Sequence, residues 1–400
     1  MKKIALILCL ALFALTLAGC GSDAKQPAAE TVKEEPAKTE TTETEAAEPA
    51  EEKAEPAEAA ETVEAEPAAA ETAKDAAGVE LVVFNCYDYI NPEVIDIFEQ
   101  ETGCTVKYCN YTTNEEMYTK IEAGAGAYDV IFPSDYMIEK MASEGLLEEF
   151  DAEAKPSKDI FIPAMKTIDC DPDGKYAVPY MWGTLGVLYN TDMVAGDITS
   201  WKTLYEPTYA GSIIMMNSMR DTIGIALKYL GYSLNTHDEA ELNAAKELLI
   251  KQKQDKIEAG YLLDETKDKM VGGEAAIGII YSGDAQYAIE KNEDLKYVIP
   301  EEGSNVWVDG MCIPKGSKHK ELAQEFINFM CREDIARMNF EYIYYCSPIQ
   351  AVVDGLDEEE KTMDTISPSD EITARCEFFH DVTDVMSLYE NVWMEIRLAR

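Results

Sequence analysis

Residues 79–103 read VELVVFNCYDYINPEVIDIFEQETG and carry a strand, a turn and a helix in that order. The run at 79–84 is apolar and β-branched, which is the pattern of a buried strand. Asn91-Pro92 then sets an N-cap ahead of a proline at the first helical position, where its missing N–H costs nothing. Val94, Ile95, Ile97 and Phe98 follow at helical spacing, and Gly103 supplies the stop. A strand leading through a polar turn into a helix is the first half of a parallel βαβ unit.

The same alternation continues downstream. The patterning predicts strands at 104–111, 128–132, 212–216, 275–281, 296–299 and 306–313. It predicts helices at 114–123, 135–146, 223–230, 320–329, 334–340 and 384–397, with a long amphipathic one at 238–258. Such spacing favours parallel βαβ units, hence a doubly wound α/β protein of one or two lobes. The 400-residue chain is long enough to give two lobes real cores.

Two upstream segments differ in composition. Residues 1–20 place two lysines before an apolar run of 14 residues, Ile4 to Leu17. That is shorter than the roughly 20 residues a membrane-spanning helix needs, so the segment reads as an export signal. Its ending, Leu17-Ala18-Gly19-Cys20, resembles the bacterial lipoprotein box. The resemblance implies cleavage before Cys20 and its acylation, anchoring the chain outside the cell membrane in a periplasmic-equivalent space. Residues 21–78 are Ala, Glu, Pro, Thr and Lys without an aromatic, a composition expected to form a disordered acidic tether.

Charge narrows the ligand class. The chain carries 77 acidic against 34 basic residues, a net charge of −43, which excludes nucleic acid and disfavours an anionic membrane surface. Of this, 21–78 carries −12 and 79–400 carries −33. The excess suits either solvation or a cationic ligand. The three histidines, 237, 319 and 380, include no pair at i,i+4 spacing, and there is no Cys-x-x-Cys, Gly-x-Ser-x-Gly or Walker loop. Neither a metal, a cofactor nor a hydrolase mechanism is expected. His380, after Phe378-Phe379, is the histidine placed to face a cleft. Eight cysteines lie in the body; Cys104 and Cys312 alternate with apolar residues as buried thiols do, and whether any pair stays open.

Aromatic and acidic residues gather where strands end, the place ligands bind in open α/β sheets. The junctions are Asn85–Tyr89, Pro133–Tyr136, Asn217–Asp221 and Tyr281–Asp284. A fifth cluster, Trp307-Val308-Asp309, lies within a strand, so Trp307 and Asp309 share a face. Rings and carboxylates together suit an organic ammonium. Taken singly, any of these tyrosines fits core packing, and Asp135, Asp221 and Asp284 fit helix N-caps. Recurrence at strand ends favours a site.

Four stretches carry a family resemblance: Phe84–Tyr89, Tyr128–Ser134, Val178–Gly183 and Trp307–Pro314. Over 79–400 the chain resembles the spermidine/putrescine-binding proteins of ABC importers, an extracellular solute-binding family. The resemblance implies an α/β, two-lobed periplasmic-binding-protein fold of type II, closing by a hinge over an interlobe cleft. It implies lobe 1 from 79–184 plus 308–353 and lobe 2 from 185–307 plus 354–400. It also implies a non-enzymatic monomer whose partners are a polyamine and the transmembrane subunits of a permease. Carried over residue by residue, the ligand contacts fall on Tyr87, Asp88, Tyr89, Ser134, Tyr136, Asp221, Tyr281, Trp307, Asp309 and Tyr345. Asp309 matches the carboxylate that grips an amine beside Trp307, and Asp221 stands where the family has a glutamate. Cys86 replaces a tryptophan, Ser218 an acid and Phe379 a glutamine, while Tyr87 stands where a small hydroxyl residue is usual. These departures leave the length and charge of the amine open. The competing reading keeps the fold and changes the solute to another organic cation or an amino-acid-like molecule, with Arg220 receiving its carboxylate.

Overall fold

A computed structural model describes residues 76–86, 89–124 and 126–399. The signal segment with Cys20, the tether up to residue 75, and Tyr87 and Asp88 lie outside the described residues. The strands are β1 (Glu80–Cys86), β2 (Thr105–Tyr111), β3 (Val130–Ile131), β4 (Ala177–Asn190), β5 (Ile213–Met216), β6 (Glu258–Leu262), β7 (Ile277–Tyr281), β8 (Leu295–Val298) and β9 (Val306–Cys312). The helices are α1 (Pro92–Thr102), α2 (Asn114–Ala123), α3 (Asp135–Ser143), α4 (Met219–Tyr229), α5 (Glu239–Gln254) and α6 (Glu265–Val271). They continue as α7 (Ser282–Lys291), α8 (Lys320–Met330), α9 (Glu333–Ile343), α10 (Gln350–Asp354), α11 (Asp370–Thr373) and α12 (Met386–Leu398).

The opening unit forms as its sequence dictates. Asn91 caps α1 through a bond from the Glu93 N–H, and Gly103 ends it at φ 75°. β1 runs parallel to β2 and β3, and β5 runs parallel to β6 and β7. The two parallel groups are joined by β4 and β9, which pair antiparallel with each other. β9 also pairs with β3, and the second half of β4 pairs antiparallel with β7 and β8.

The sequence patterning passes over strand β4, and also β6, α6, α7, α10 and α11. All 14 residues of β4 are buried. Pro179, Gly183 and Gly186 argue against a central strand, since proline cannot donate to a ladder and glycine weakens one. The chain accommodates Pro179 with a register shift between Pro179 and Met181 in its pairing with β9. The long helix expected over 238–258 also stops early. Lys256 adopts φ 56° and turns the chain into β6, and with no glycine there the stop carries no sequence signal.

β4 divides its side chains between separate cores. Val178, Tyr180, Met181 and Trp182 join a cluster with Phe84, Phe98, Ile131, Ile138 and Phe326. Leu185, Val187 and Tyr189 join a second with Trp201, Ile223, Leu242, Val382 and Tyr389. Leu188 meets Ile214, Met270 and Ile280 in a third, smaller one. The result is a two-lobed α/β molecule in which β4 contributes to the cores of both. The eight body cysteines are all free thiols.

Candidate functional site

The site grows from β9. Trp307 lies opposite Gly183 of β4, and a Cβ at Gly183 would sit 2.7 Å from Trp307 Cζ2. Only glycine lets the indole lie flat there. The Trp307 ring meets Tyr345 at a centroid distance of 4.9 Å and Tyr281 at 6.0 Å, both edge-on. Tyr345 in turn meets Tyr89 at 6.1 Å. Beneath Tyr345 lies Gly283, where a Cβ would come within 2.4 Å of the Tyr345 Cδ1. Four rings thus form a continuous wall over two glycine gaps.

Asp309 points to the same side as Trp307. The Tyr89 hydroxyl donates to its Oδ2 at 2.6 Å, while Oδ1 is buried without a hydrogen-bond partner. Ser134 is bridged to Asp309 through the backbone. Burial pushes the Asp309 carboxyl up to about 6; the Ser134 and Tyr89 hydroxyls favour the charged form and oppose the rise.

Asp221 lies in the first turn of α4. Ser218 and Tyr281 hydroxyls donate to its Oδ2 at 2.5 and 2.9 Å, and its Oδ1 is buried and unpartnered. Burial raises this carboxyl too, against those two hydrogen bonds and the neighbouring Arg220 charge. The N-cap expectation for three acids is corrected here. The capping positions are held by Ser218, Ser134 and Tyr281, and Asp221, Asp135 and Asp284 sit inside the first turns, where the helix dipole favours them.

The expected residues therefore divide. Tyr89, Ser134, Asp221, Tyr281, Trp307, Asp309 and Tyr345 come together. Tyr136 is committed elsewhere, its hydroxyl donating to Glu115 at 2.9 Å. Asp284, next to Tyr345, has both oxygens engaged, by Lys267 at 3.0 Å and by the Tyr345 hydroxyl at 3.2 Å.

Three further features bear on the site, of which the Glu139 contact escaped the sequence reading. Asp135 is 2% exposed with Oδ2 unpartnered, and burial, reinforced by the Asp309 charge, pushes it well above the usual carboxylate range. Arg220 is buried with its guanidinium 4.5 Å from the Phe379 ring centre and 5.1 Å from that of Tyr389. Its terminal nitrogens donate to the Asn235 Oδ1 at 2.9 Å and the His380 carbonyl at 3.3 Å. Glu139 of α3, whose helix packs into the first core, accepts from the Asp381 N–H at 2.9 Å and faces the His380 Nδ1 at 3.3 Å. Val382, one residue on, belongs to the second core, so this contact ties lobe to lobe. A mid-helix acid such as Glu139 has no local signature.

His380 faces a cleft, as its position suggested. The cleft measures about 670 Å³ and is lined also by Trp182, Val306, Asn235 and Glu377. Trp182 and Val306 alternate with Gly183 and Trp307 along their strands, so this cleft lies behind the strands that carry the aromatic wall. Among the described residues no cluster of His, Cys, Asp or Glu is arranged to hold a metal, and no helix is long and apolar enough to cross a membrane.

Two buried acids, each with one satisfied and one open oxygen, flank a wall of four rings. Such an arrangement binds ammonium groups at the carboxylates and a hydrocarbon linker along the rings. The comparisons with known proteins bear on this geometry. The family model described as "Bacterial extracellular solute-binding protein" matches residues 93–368. The spermidine/putrescine-binding periplasmic protein of Salmonella typhimurium is 33% identical over 322 residues, covering 80% of this chain and 92% of that one. The structure of the spermidine/putrescine ABC transporter substrate-binding protein PotD from Streptococcus pneumoniae superposes with a TM-score of 0.73 at 36% identity, covering 80% of this chain and 99% of that one. The TpPotD lipoprotein of Treponema pallidum gives a TM-score of 0.73 at 26% identity, covering 79% and 99%.

Proposed function

The chain belongs to the bacterial extracellular solute-binding protein family, and we propose that it captures a polyamine between its lobes and hands it to a membrane permease. The observation that carries the reading is the pair of open carboxylate oxygens, Asp309 Oδ1 and Asp221 Oδ1, beside Trp307 and Tyr281. Buried acids without a counter-charge are unfavourable, and an ammonium ion supplies both the charge and the missing donors. Tyr89, Tyr281, Trp307 and Tyr345 line the methylene chain, with Ser134 beside Asp309; the reading also counts Tyr87 and Asp88, outside the described residues, among the ligand contacts. No bond is made or broken in this role.

The same reading assigns lobe 1 to 79–184 plus 308–353 and lobe 2 to 185–307 plus 354–400. Cys20 is the lipid-bearing residue, and 21–78 the spacer that lets a monomeric binding protein reach its permease. An amino-acid-like solute fits less well, because the Arg220 terminal nitrogens needed for its carboxylate are already engaged by His380 and Asn235. Calorimetric titration with putrescine, cadaverine and spermidine tests the proposal. Heat from at least one amine, abolished in Asp309→Asn, is expected; no heat from any, or unchanged affinity in that variant, overturns it.

A further inference from the structure

We propose that Arg220 is a positioning residue for lobe closure, aiming the peptide group between His380 and Asp381 at Glu139 of the other lobe. The His380 carbonyl and the Asp381 N–H are opposite edges of one planar unit. Arg220 donates to the carbonyl edge at 3.3 Å, and Glu139 accepts from the N–H edge at 2.9 Å. Helix α4, which carries Arg220, packs into the second core through Ile223 and Ile225, whereas α3, which carries Glu139, packs into the first through Met137 and Ile138. A single peptide plane is therefore gripped from both lobes. The inference deepens the binding reading above, since it concerns how the cleft is held shut.

The backbone leading to this joint is anchored group by group. The Glu377 N–H donates to the Ser304 carbonyl at 2.9 Å, and the Glu377 carbonyl accepts from the Val306 N–H at 3.0 Å. Asn235 then takes over. Its Nδ2 donates to the Phe378 carbonyl at 2.8 Å, and its Oδ1 accepts from the His380 N–H at 2.9 Å. Arg220 donates to that same Oδ1 at 2.9 Å, so one guanidinium steadies both the joint and the side chain that holds the residues before it. Asn235 is itself fixed, because the Tyr389 hydroxyl donates to the carbonyls on either side of it, Leu234 and Thr236. The guanidinium lies buried between the rings of Phe379 and Tyr389, and its planar fork reaches two oxygens at once, which the point charge of a lysine does not. Without Arg220 the His380 carbonyl loses its donor, and the peptide plane is free to turn the Asp381 N–H away from Glu139. Asp221, the acid given to the ligand, is the next residue in the same first turn of α4, so the binding acid and the brace share one rigid element.

The test is a double-mutant cycle on Arg220→Met, which keeps an apolar stem and removes both donors, and Glu139→Ala. It is read by the putrescine off-rate in stopped flow. Each single variant is expected to raise the off-rate about 3- to 10-fold, and the double variant no more than about twofold beyond the faster single. Rises that multiply in the double variant overturn the inference, because a general loosening of α4 acts independently of Glu139. An unchanged off-rate in Arg220→Met overturns it as well. Hydrogen exchange of the amine-free protein, followed by mass spectrometry on peptides covering 378–383, reads the joint without a ligand. The Asp381 amide is expected to exchange at least about fivefold faster in both single variants, and wild-type protection in Arg220→Met overturns the inference. That arm still decides the role of Arg220 if no amine binds the wild-type protein, an outcome that removes the polyamine reading alone. Should Arg220→Met not fold, Asn235→Ala releases the neighbouring anchors and enters the same cycle under the same criteria.

Discussion

Replacing Asp309 with Asn should make the unliganded protein more stable at neutral pH while abolishing amine binding. The substitution keeps the side-chain shape and leaves an oxygen to accept from the Tyr89 hydroxyl, but removes the buried charge. In the folded protein burial raises this carboxyl from 3.8 to about 6. The native state therefore holds its proton more tightly than the unfolded chain does. Above pH 6 both states have lost that proton, and folding must bury the charge. The two-unit rise is worth about 3 kcal/mol, a penalty absent below pH 4, growing between 4 and 6, and constant above. Part of the Asp309 surface remains open toward the cleft, so solvent trims the figure and about 3 kcal/mol is a ceiling. For a chain of this size that corresponds to a rise in Tm of at most about 5 °C. Asp135 and Asp221 are raised in the same sense, but both proteins contain them and they largely cancel in the difference. Removing the Asp309 charge also relieves Asp135, which adds to the gain. The assay is thermal unfolding of both proteins without ligand from pH 4 to 8, followed by putrescine titration at pH 7.5. A gap in Tm that opens between pH 4 and 6 is expected, together with at least about 100-fold weaker binding in the variant. A variant less stable than wild type at pH 7.5, or a gap independent of pH, refutes the reasoning.

Three other outcomes follow from the same geometry. Amine affinity should fall by up to about 10-fold per pH unit below pH 6, because Asp309 must lose its proton to receive an ammonium; calorimetry from pH 7 to 5 reads this, and a flat profile contradicts it. Gly283→Ala places a methyl group 2.4 Å from the Tyr345 ring, and the resulting overpacking, about 1–3 kcal/mol, should displace Tyr345 from Trp307. A changed tryptophan fluorescence and about 10-fold weaker amine binding are expected, and an unaltered spectrum would count against the glycine gap. Glu139→Ala removes the acceptor of the Asp381 N–H and should raise the amine off-rate about 3- to 10-fold in stopped-flow measurements without changing which amine binds, since Glu139 holds lobe to lobe rather than touching the ligand.

Local chemistry explains which parts of the fold can be read from residues alone. The unit at 79–103 is self-contained: its strand pattern, cap, proline and terminal glycine all lie within 25 residues and agree with one another. β4 fails the same test because its stability is set elsewhere. Its Pro179 is tolerated by a shifted pairing with β9, and its glycines admit Trp307 and the Tyr297 ring, partners more than 100 residues away. The site behaves likewise. Trp307 and Asp309 share a face by strand alternation, which is visible in three consecutive residues. The Tyr89 bond to Asp309 spans 220 positions and the Glu139 bond to Asp381 spans 242, and no periodicity encodes either.

What separates a binding acid from a structural one is also invisible in composition. Asp171 is as buried as Asp221, at 4% exposure, yet it accepts from the backbone N–H groups of Lys175, Tyr176 and Ala177 and leaves neither oxygen open. Asp129 is similarly saturated, by the Val82 N–H and the Ser317 hydroxyl. Both acids are satisfied by the fold itself and gain nothing from a solute. Asp309 and Asp221 each have one oxygen engaged by hydroxyl donors and are held, at a cost to stability, with the second oxygen unmet. Among 60 acids in residues 79–400, net charge treats all alike. The unmet oxygens distinguish those whose desolvation has already been imposed by folding, so that an arriving ammonium ion is rewarded with the full strength of a buried charge-assisted bond.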